Sequence, residues 1–275
     1  MNATPPGNAP PPRWRIGTMG FSYADWEGPF YPRGLKSSEW LAFYARHFDT
    51  VELDTTFYAA PTPDRVRRWS SVTPDGFRFC LKTPRAITHD SPLPMGVGPM
   101  AAFVDICRGF GPKLGVILIQ FAPTFDAIHL ETVDRFLEAL PTDVRFAVEF
   151  RHRSWGHPDT LRMLHRHGCA FVSAEYSTRP SRVFATADFT YVRLIGVHDT
   201  YLVHERELID PTDSLAWWKQ AVDASAPRGV REAWTFLNND YAGYSVATAN
   251  RLKRMLGIEV REVEWEPEAP TLFGP

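Results

Sequence analysis

Residues 115–150 read GVILIQFAPTFDAIHLETVDRFLEALPTDVRFAVEF and contain a complete strand–helix–strand unit. The first part, GVILIQFAP, is apolar almost throughout, which is typical of a strand buried on both faces. HLETVDRFLEAL has the spacing of an amphipathic helix, and RFAVEF forms a second strand. Because a helix between two strands joins them in parallel, this stretch predicts a parallel sheet.

The same alternation runs through the rest of the chain. Helical patterns separate most of the six further predicted strands, at 14–20, 50–54, 77–84, 169–175, 189–196 and 233–240. Eight such units in a chain of 275 residues predict an α/β fold, a single closed (β/α)₈ TIM barrel. An open doubly wound sheet is less favoured, because no GxGxxG follows the first strand and no P-loop is present. The predicted domain is 14–275, after a Pro-rich leader, 1–13, that we expect to be disordered.

Composition restricts the partners and the compartment. The formal net charge is −2, from 30 basic and 32 acidic residues, so the whole chain has no attraction for a polyanion. The three cysteines, Cys80, Cys107 and Cys169, form no CxxC pair, which disfavours a disulfide framework or a thiolate zinc site. No apolar run reaches the ~20 residues that span a bilayer. We therefore expect a cytoplasmic protein without a membrane partner.

Charged residues recur near the carboxyl ends of the predicted strands. Positions along a barrel strand alternate between the interior and the helices, and the more apolar set should face the helices. This rule turns a group of charged residues inward: Glu52, Lys82, Glu149, Arg151 and Arg193. TIM-barrel enzymes build their active sites at this end of the barrel. We therefore expect these five residues to form the catalytic group.

Other polar and aromatic residues lie at the same end, on strand ends or on the loops that follow. The predicted substrate-binding set is Tyr23, Trp26, Thr56, Tyr58, His89, Gln120, His152, Trp155, Glu175, Asn239 and Asp240. The alternation rule turns Gln120, Glu175 and Asn239 inward, together with Asp54. Aromatic walls with a few polar groups suit a ring-bearing or sugar-like ligand.

Several blocks of this sequence, in this order, resemble the YecE-like family of TIM barrels, which is domain of unknown function family seventy-two. They include IGTMGFSYADWEGPFYP, VELDTTFYAAPTPDRVRRW, AVEFRHRSW and FLNNDYAGYSVATANRL. The resemblance covers about residues 14–256 and implies the barrel fold, but it supplies no settled reaction. The chain departs from the family at Ile195, where many members have His, and at Glu175, where Asp is frequent.

The charged group favours an enzyme of the hydrolase or lyase type. Its substrate would be small and polar, anionic or similar to a sugar phosphate. Glu149 would act as base or acid with Glu52 as its carboxylate partner, since two carboxylates in different environments can divide these roles. Lys82, Arg151 and Arg193 would anchor the anion. An alternative role for Lys82 is a Schiff base with a carbonyl substrate.

Two other functions remain open. A divalent-metal phosphodiesterase acting on nucleic acid could use His89, His152 and His198, which lie on loops near the barrel mouth. The chain has no HxH, HExxH or DxD spacing, however, so we assign no metal ligands. A non-catalytic barrel would hold a small ligand without turnover. No cofactor can be named from the sequence.

Overall fold

Eight parallel strands form a barrel in a computed structural model that describes residues 9–90, 93–176 and 182–263. Their bounds are β1 (Arg13–Thr18), β2 (Thr50–Leu53), β3 (Arg78–Lys82), β4 (Leu114–Gln120), β5 (Arg145–Glu149), β6 (Ala170–Glu175), β7 (Phe189–Leu194) and β8 (Glu232–Leu237). Consecutive strands pair from β2 to β8, and β8 pairs with β1. The predicted TIM barrel is thus confirmed. Residues 1–8 of the predicted leader lie outside the described residues.

Nine α-helices lie within the described residues. Their bounds are α1 (Trp40–His47), α2 (Pro63–Ser71), α3 (Arg85–Thr88), α4 (Leu93–Arg108), α5 (Leu130–Glu138), α6 (Pro158–Arg166), α7 (Thr212–Asp223), α8 (Asn239–Ala242) and α9 (Ser245–Met255). Between β6 and β7, the described residues 176 and 182–188 form no helix. None of the helices in the described part of the chain combines the length and the apolar character that spanning a bilayer requires.

The strands alternate between two apolar cores, as the period-two pattern predicts. One core fills the barrel interior and includes Cys80, Val116, Leu118, Tyr191 and Phe236. The other lies between the sheet and the helices and includes Val51, Phe79, Ile117, Val148 and Leu194. This interior core lies between charged interior residues at the two ends of the barrel, such as Arg15 and Arg193.

The barrel closes where β1 meets β2. A single parallel bridge joins Met19 to Glu52, and the Tyr44 hydroxyl donates to the Thr50 carbonyl oxygen at 3.1 Å. A Cβ atom at Gly17 would lie 2.2 Å from that same oxygen. Glycine at this position therefore permits the close approach of the two strands, and the closure places Glu52 at the carboxyl end of the barrel.

Candidate functional site

Arg193 lies in the barrel interior near the carboxyl ends of the strands, between two glutamates from other strands. Its Nη1 donates to Glu149 Oε2 at 2.6 Å, and its Nη2 donates to Glu52 Oε1 at 2.7 Å. The side chains of Arg193, Glu149 and Glu52 are 5%, 2% and 0% exposed. The structure thus brings together three of the five residues predicted as the catalytic group, in a buried, paired arrangement.

Further donors complete the hydrogen bonding of both glutamates. The Tyr191 hydroxyl donates to Glu52 Oε2 at 2.7 Å. The Tyr176 hydroxyl and Arg151 Nε donate to Glu149 Oε1 at 2.6 and 3.2 Å. Arg151 therefore joins the centre as predicted. Tyr191 was missed because an aromatic residue at an interior strand position is more often a core residue than a site residue. Tyr176 was missed because the prediction turned its neighbour Glu175 inward instead.

The charges of this network fix the protonation of Glu149. Burial alone would raise the pKa of its carboxyl, but Arg193 and Arg151 outweigh burial and hold that pKa well below the ordinary range. Burial alone would lower the pKa of Arg193, but Glu52 and Glu149 raise it well above its usual value. At neutral pH Glu149 therefore has no proton to donate, and so weakly basic a carboxylate is a poor proton acceptor.

Lys82, at the end of β3, stands apart from the ion pairs of the centre. Its ammonium lies 3.8 Å from the centroid of the Phe57 ring, and no carboxylate among the described residues comes within 4 Å of it. Burial and the nearby charge of Arg193 lower its pKa to about 8, although Glu149 and Glu52 act in the opposite direction. Lys82 is therefore the member of the predicted catalytic group best suited to proton transfer near neutral pH.

Asp54 follows β2 and is a second group with a perturbed pKa at this end. Burial and the charge of Glu52 raise its pKa, and Arg193 and Lys82 only partly offset them. The alternation rule had turned Asp54 inward, but the predicted site did not include it. Its position two residues after Glu52 was the available signal.

Three predicted binding residues surround Lys82. The Thr56 hydroxyl lies 2.6 Å from the Lys82 carbonyl oxygen and so ties the end of β3 to the loop after β2. The His89 ring packs edge-on against Phe57 at 5.0 Å between centroids. Tyr58 is 79% exposed and points to solvent beside Phe57. Thr56 thus holds the Lys82 backbone in place and His89 packs against the Phe57 ring, whereas the exposed Tyr58 can contact a ligand.

Gln120 and Tyr23 also lie at this end of the barrel. Gln120 is paired across the sheet with Glu149 and helps to lower the pKa of that carboxyl. Its buried Nε2 nevertheless makes no hydrogen bond of normal geometry within the described residues. The Tyr23 hydroxyl donates to the Met19 carbonyl oxygen at 2.5 Å, and burial, Asp54 and Glu52 raise its pKa. Tyr23 therefore acts here as a hydrogen-bond donor.

A cleft opens between β5 and β6 beside Glu149. These strands pair only at Ala147–Ala170 and Val148–Phe171, while β6 continues to pair with β7 as far as Glu175. The resulting cavity has a volume of about 470 Å³ and is lined by aromatic and polar groups, among them Glu149, His152, Arg153, Trp155, Phe171, Tyr176, Arg182 and Phe184. His152 and Trp155, both predicted as binding residues, therefore line a cavity that reaches the polar centre.

Glu175 does not face the interior, so its predicted orientation is wrong. Its carboxylate accepts hydrogen bonds from Ser214, Tyr241 and the Trp218 indole, in the layer between the sheet and α7. The interior positions of β6 and its extension are Ala170, Val172, Ala174 and Tyr176. Ile195, where many family members have His, is buried in the interior core beyond Arg193.

Asn239 and Trp26 also lie outside the polar centre, contrary to their predicted roles. Asn239 begins α8, and its Oδ1 accepts from the Ser245 hydroxyl at 2.7 Å and from the Trp26 indole at 3.3 Å. Trp26 is fully buried among other rings. The strand ends at Leu237, so the alternation rule does not extend to Asn239, and both residues fasten loops together.

Asp240 belongs to a separate group of charged side chains on the loops. Its Oδ1 lies 3.3 Å from His204 Nε2, and its Oδ2 lies 3.5 Å from His198 Nδ1. The other nitrogen of His204 lies 3.3 Å from Asp25. In the described residues, no three His, Cys, Asp or Glu side chains are grouped so as to hold a metal ion. Asp240, on α8, therefore contacts the loop between β7 and α7, and His204 of that loop contacts the loop after β1 through Asp25.

Comparisons with known proteins agree with the resemblance noted from the sequence. Residues 15–272 match the family model described as DUF72, protein of unknown function. UPF0759 protein YecE of Escherichia coli K12 is 30% identical over 76% of this chain and 89% of that protein. UPF0759 protein YunF of Bacillus subtilis is 31% identical over 89% of this chain and 95% of that protein.

Solved structures show the same fold. The crystal structure of a DUF72 family protein from Thermotoga maritima superposes with a TM-score of 0.74 at 29% identity, over 89% of this chain and 99% of that one. A DUF72 family protein from Enterococcus faecalis gives a TM-score of 0.69 at 20% identity, over 92% of this chain and 100% of that one. At that identity the second similarity supports the fold alone.

Proposed function

This chain belongs to the DUF72 family, and we propose that it is an enzyme of the hydrolase or lyase type that acts on a small, anionic, sugar-phosphate-like substrate. The observation on which this proposal rests is the environment of Lys82. Its ammonium has no carboxylate partner within 4 Å among the described residues, and burial beside Arg193 lowers its pKa to about 8. A group with its pKa near neutrality, at the carboxyl end of a barrel strand, is typical of an active site.

The charges around Lys82 favour an anionic substrate. Glu52 and Glu149 are balanced by Arg193 and Arg151. A further carboxyl near Lys82 is that of Asp54, whose raised pKa favours its neutral, protonated form. Arg151 keeps a quarter of its side chain exposed and presents a planar guanidinium suited to a phosphate or carboxylate group. Arg151 would thus bind the anion, and Lys82 in its neutral form is left for proton transfer.

In this mechanism Glu149 positions other groups and does not transfer the proton. Its low pKa keeps it ionised, and its two oxygens hold Arg193, Arg151 and Tyr176 in place. Proton transfer falls to Lys82 in its neutral form, with Asp54 as a second candidate because its pKa is raised. This assignment replaces the acid or base role that the sequence alone suggested for Glu149.

The cleft between β5 and β6 would take the rest of the substrate. Arg153, Arg182 and His152 supply polar contacts, and Phe171 and Phe184 supply apolar walls. A volume of about 470 Å³ lies within the range of small-molecule sites. Polar and aromatic lining of this kind suits a ring that carries an anionic group.

A Schiff base on Lys82 is the second candidate, because a lowered pKa also makes an amine nucleophilic. The two chemistries can be separated. Borohydride added with a carbonyl-bearing sugar phosphate would link the substrate to Lys82 only if an imine forms. A mass increase in the wild type that is absent from Lys82→Met would support the imine; no increase would leave proton transfer as the role of Lys82.

The decisive test uses a panel of sugar phosphates and phosphorylated hydroxy acids, with product formation followed by NMR. We expect turnover by the wild type and a loss of about 10²–10⁴-fold in Lys82→Met. The matched control is Lys253→Met, since Lys253 is also buried with its pKa lowered to about 8 but lies on α9 beside His47 and Phe48. We expect this control to retain activity.

The dependence of kcat on pH shows whether Lys82 acts in its protonated or its deprotonated form. A general base acts when deprotonated, so kcat should rise with pH and level off above about 8, the pKa of Lys82. Full activity in Lys82→Met would refute the assignment. Tight binding of a panel member without product would favour the non-catalytic barrel. The nucleic-acid alternative has no comparable support, because no metal-binding group is formed by the described residues.

A further inference from the structure

A second polar cavity lies at the opposite, amino-terminal end of the barrel. Its volume is about 510 Å³, and its lining includes Arg15, Arg78, Arg108, Arg145, Glu232 and Trp234. These residues come from the starts of β1, β3, β5 and β8 and from the end of α4. We call this cavity the arginine pocket. Interior core residues such as Cys80 and Leu118 separate it from Arg193.

The inner arginines of the pocket have too few carboxylates to balance them. Arg15 Nε lies 3.3 Å from Glu232 Oε1, and Arg145 contacts the other oxygen of the same carboxylate. The Nη1 of Arg78 donates only to backbone carbonyls, those of Asp75 and Phe77. Within the described residues, Arg15, Arg78 and Arg145 thus share one inner carboxylate.

Carboxylates at the rim do not remove this excess. Asp188 lies 3.6 Å from Arg145 and is 55% exposed, so solvent screens its charge. Asp143 forms an ion pair with Arg108 at 2.8 Å, and Arg108 is also paired with Asp105. These acids balance the outer arginine, and the inner part of the cavity stays positive.

Crowding of like charges is visible in the arginines themselves. Arg15 is 7% exposed, and its guanidinium lies over the Trp234 ring, 4.9 Å from the centroid. Burial and the charges of Arg15 and Arg13 lower the pKa of Arg78, although Glu232 and Asp49 act in the opposite direction. Guanidinium groups held close together in a partly buried cavity repel one another, and an anion between them would relieve that repulsion.

We propose that the arginine pocket binds a small phosphate-bearing anion, as a site distinct from the one at Lys82. Arg78 and Arg145 both line the cavity, from the starts of β3 and β5, and would donate to the phosphate oxygens, since guanidinium groups match phosphate geometry. Arg15, held by Trp234 and Glu232, supplies fixed positive charge beneath them. The cavity is large enough for inorganic phosphate or for a phosphate monoester, and the chemistry that binds both is the same.

The test measures phosphate binding to the full chain by calorimetry and by the shift in Tm. Inorganic phosphate, pyrophosphate and glycerol 3-phosphate are compared with sodium chloride at equal ionic strength. We expect each phosphate compound to raise Tm more than chloride does. Tighter binding of the monoester than of inorganic phosphate would identify an esterified ligand, and the reverse order would identify free phosphate.

Variants locate the site. Arg78→Gln should weaken phosphate binding by about tenfold, the effect of losing one charged hydrogen-bond donor. Arg145→Gln should do the same and serves if Arg78→Gln does not fold. The matched control is Arg135→Gln, which removes an exposed arginine paired with Glu131 on α5 and should leave binding unchanged.

Two results would overturn the proposal. One is a Tm shift with phosphate no larger than with chloride. The other is equal phosphate affinity in the wild type, Arg78→Gln and Arg145→Gln, which would place any binding elsewhere. Neither result bears on Lys82, because turnover of the sugar-phosphate panel is measured separately with Lys82→Met.

Discussion

Both ends of the barrel place arginines and glutamates in the interior, but they balance the charges differently. At the carboxyl end, Arg193 lies between Glu52 and Glu149, and both glutamates receive further donors. At the amino-terminal end, Glu232 is shared between Arg15 and Arg145. At the carboxyl end both glutamates are fully hydrogen-bonded within the network. At the amino-terminal end, among the described residues, guanidinium groups that face the cavity have too few carboxylates to pair with them.

We infer from this difference that a charged cluster need not be reactive where its charges are most buried. Arg193, Glu52 and Glu149 neutralise one another's charges in two buried ion pairs. The chemistry that we propose at the carboxyl end belongs to Lys82 and Asp54, which lie beside these ion pairs and have no ion-pair partner within 4 Å among the described residues. The proposed anion site at the other end likewise depends on positive charge that its neighbours leave unbalanced.

The largest expected effect is the difference in stability lost when one buried arginine is removed from either end of the barrel. Arg193→Met leaves two buried carboxylates without their cation and should lower the free energy of unfolding by about 3–5 kcal/mol. Arg15→Met should cost less than half as much, because it also relieves repulsion by Arg78 and Arg145. Urea denaturation at pH 7 measures both losses. Equal losses would show that the two ends are not balanced differently.

A medium effect separates the ends by their response to salt. Glu232→Gln leaves Arg15 and Arg145 without their shared carboxylate and should cost about 1–2 kcal/mol. Raising sodium chloride from about 0.1 M to about 1 M shortens the Debye length from ~10 to ~3 Å. Because the arginine pocket is open to solvent, this screening should restore about half of the stability that Glu232→Gln loses.

Glu149→Gln is the matched substitution at the carboxyl end. Its carboxylate is 2% exposed, so added salt should restore little of its stability. Urea midpoints at the two salt concentrations provide the measurement. Salt recovery of Glu149→Gln as large as that of Glu232→Gln would contradict the contrast between a buried and an open network.

The last comparison uses two lysines whose pKa values are similarly lowered in different surroundings. Burial lowers the pKa of Lys82 and of Lys253 to about 8 in the folded chain, against ~10.4 in the unfolded chain. Between these values the unfolded chain binds more protons, so stability rises with pH. Relative to either Lys→Met variant, the wild type should become more stable as pH rises from 8 to about 10.

Urea midpoints across that pH range measure the effect for each lysine. Similar pH slopes for both variants, together with loss of turnover in Lys82→Met alone, would show that a lowered pKa does not by itself mark an active site. A slope that does not change in either variant would contradict burial as the cause of the lowered pKa values.

Much of the fold followed from local patterns. Predicted strands such as 115–123 and 169–175 overlap β4 and β6, because period and length identify a buried strand without knowledge of its neighbours. The inward orientation of Glu52, Lys82, Glu149 and Arg193 was also predictable, since alternation is a local property. Glu175 and Asn239 show where the rule fails. Glu175 lies on β6, which has apolar residues on both faces, and Asn239 lies beyond the end of its strand.

The sequence by itself determined that parallel strands close into a barrel and that charged side chains meet at its carboxyl end. Only the tertiary structure decided which of those charges are neutralised. Arg193 and Glu52 are 141 residues apart in the chain, and Arg15 and Glu232 are 217 apart. Strand periodicity gives the direction of a side chain, but pairing depends on distances across the closed barrel, and these leave Lys82 and Arg78 without carboxylate partners among the described residues.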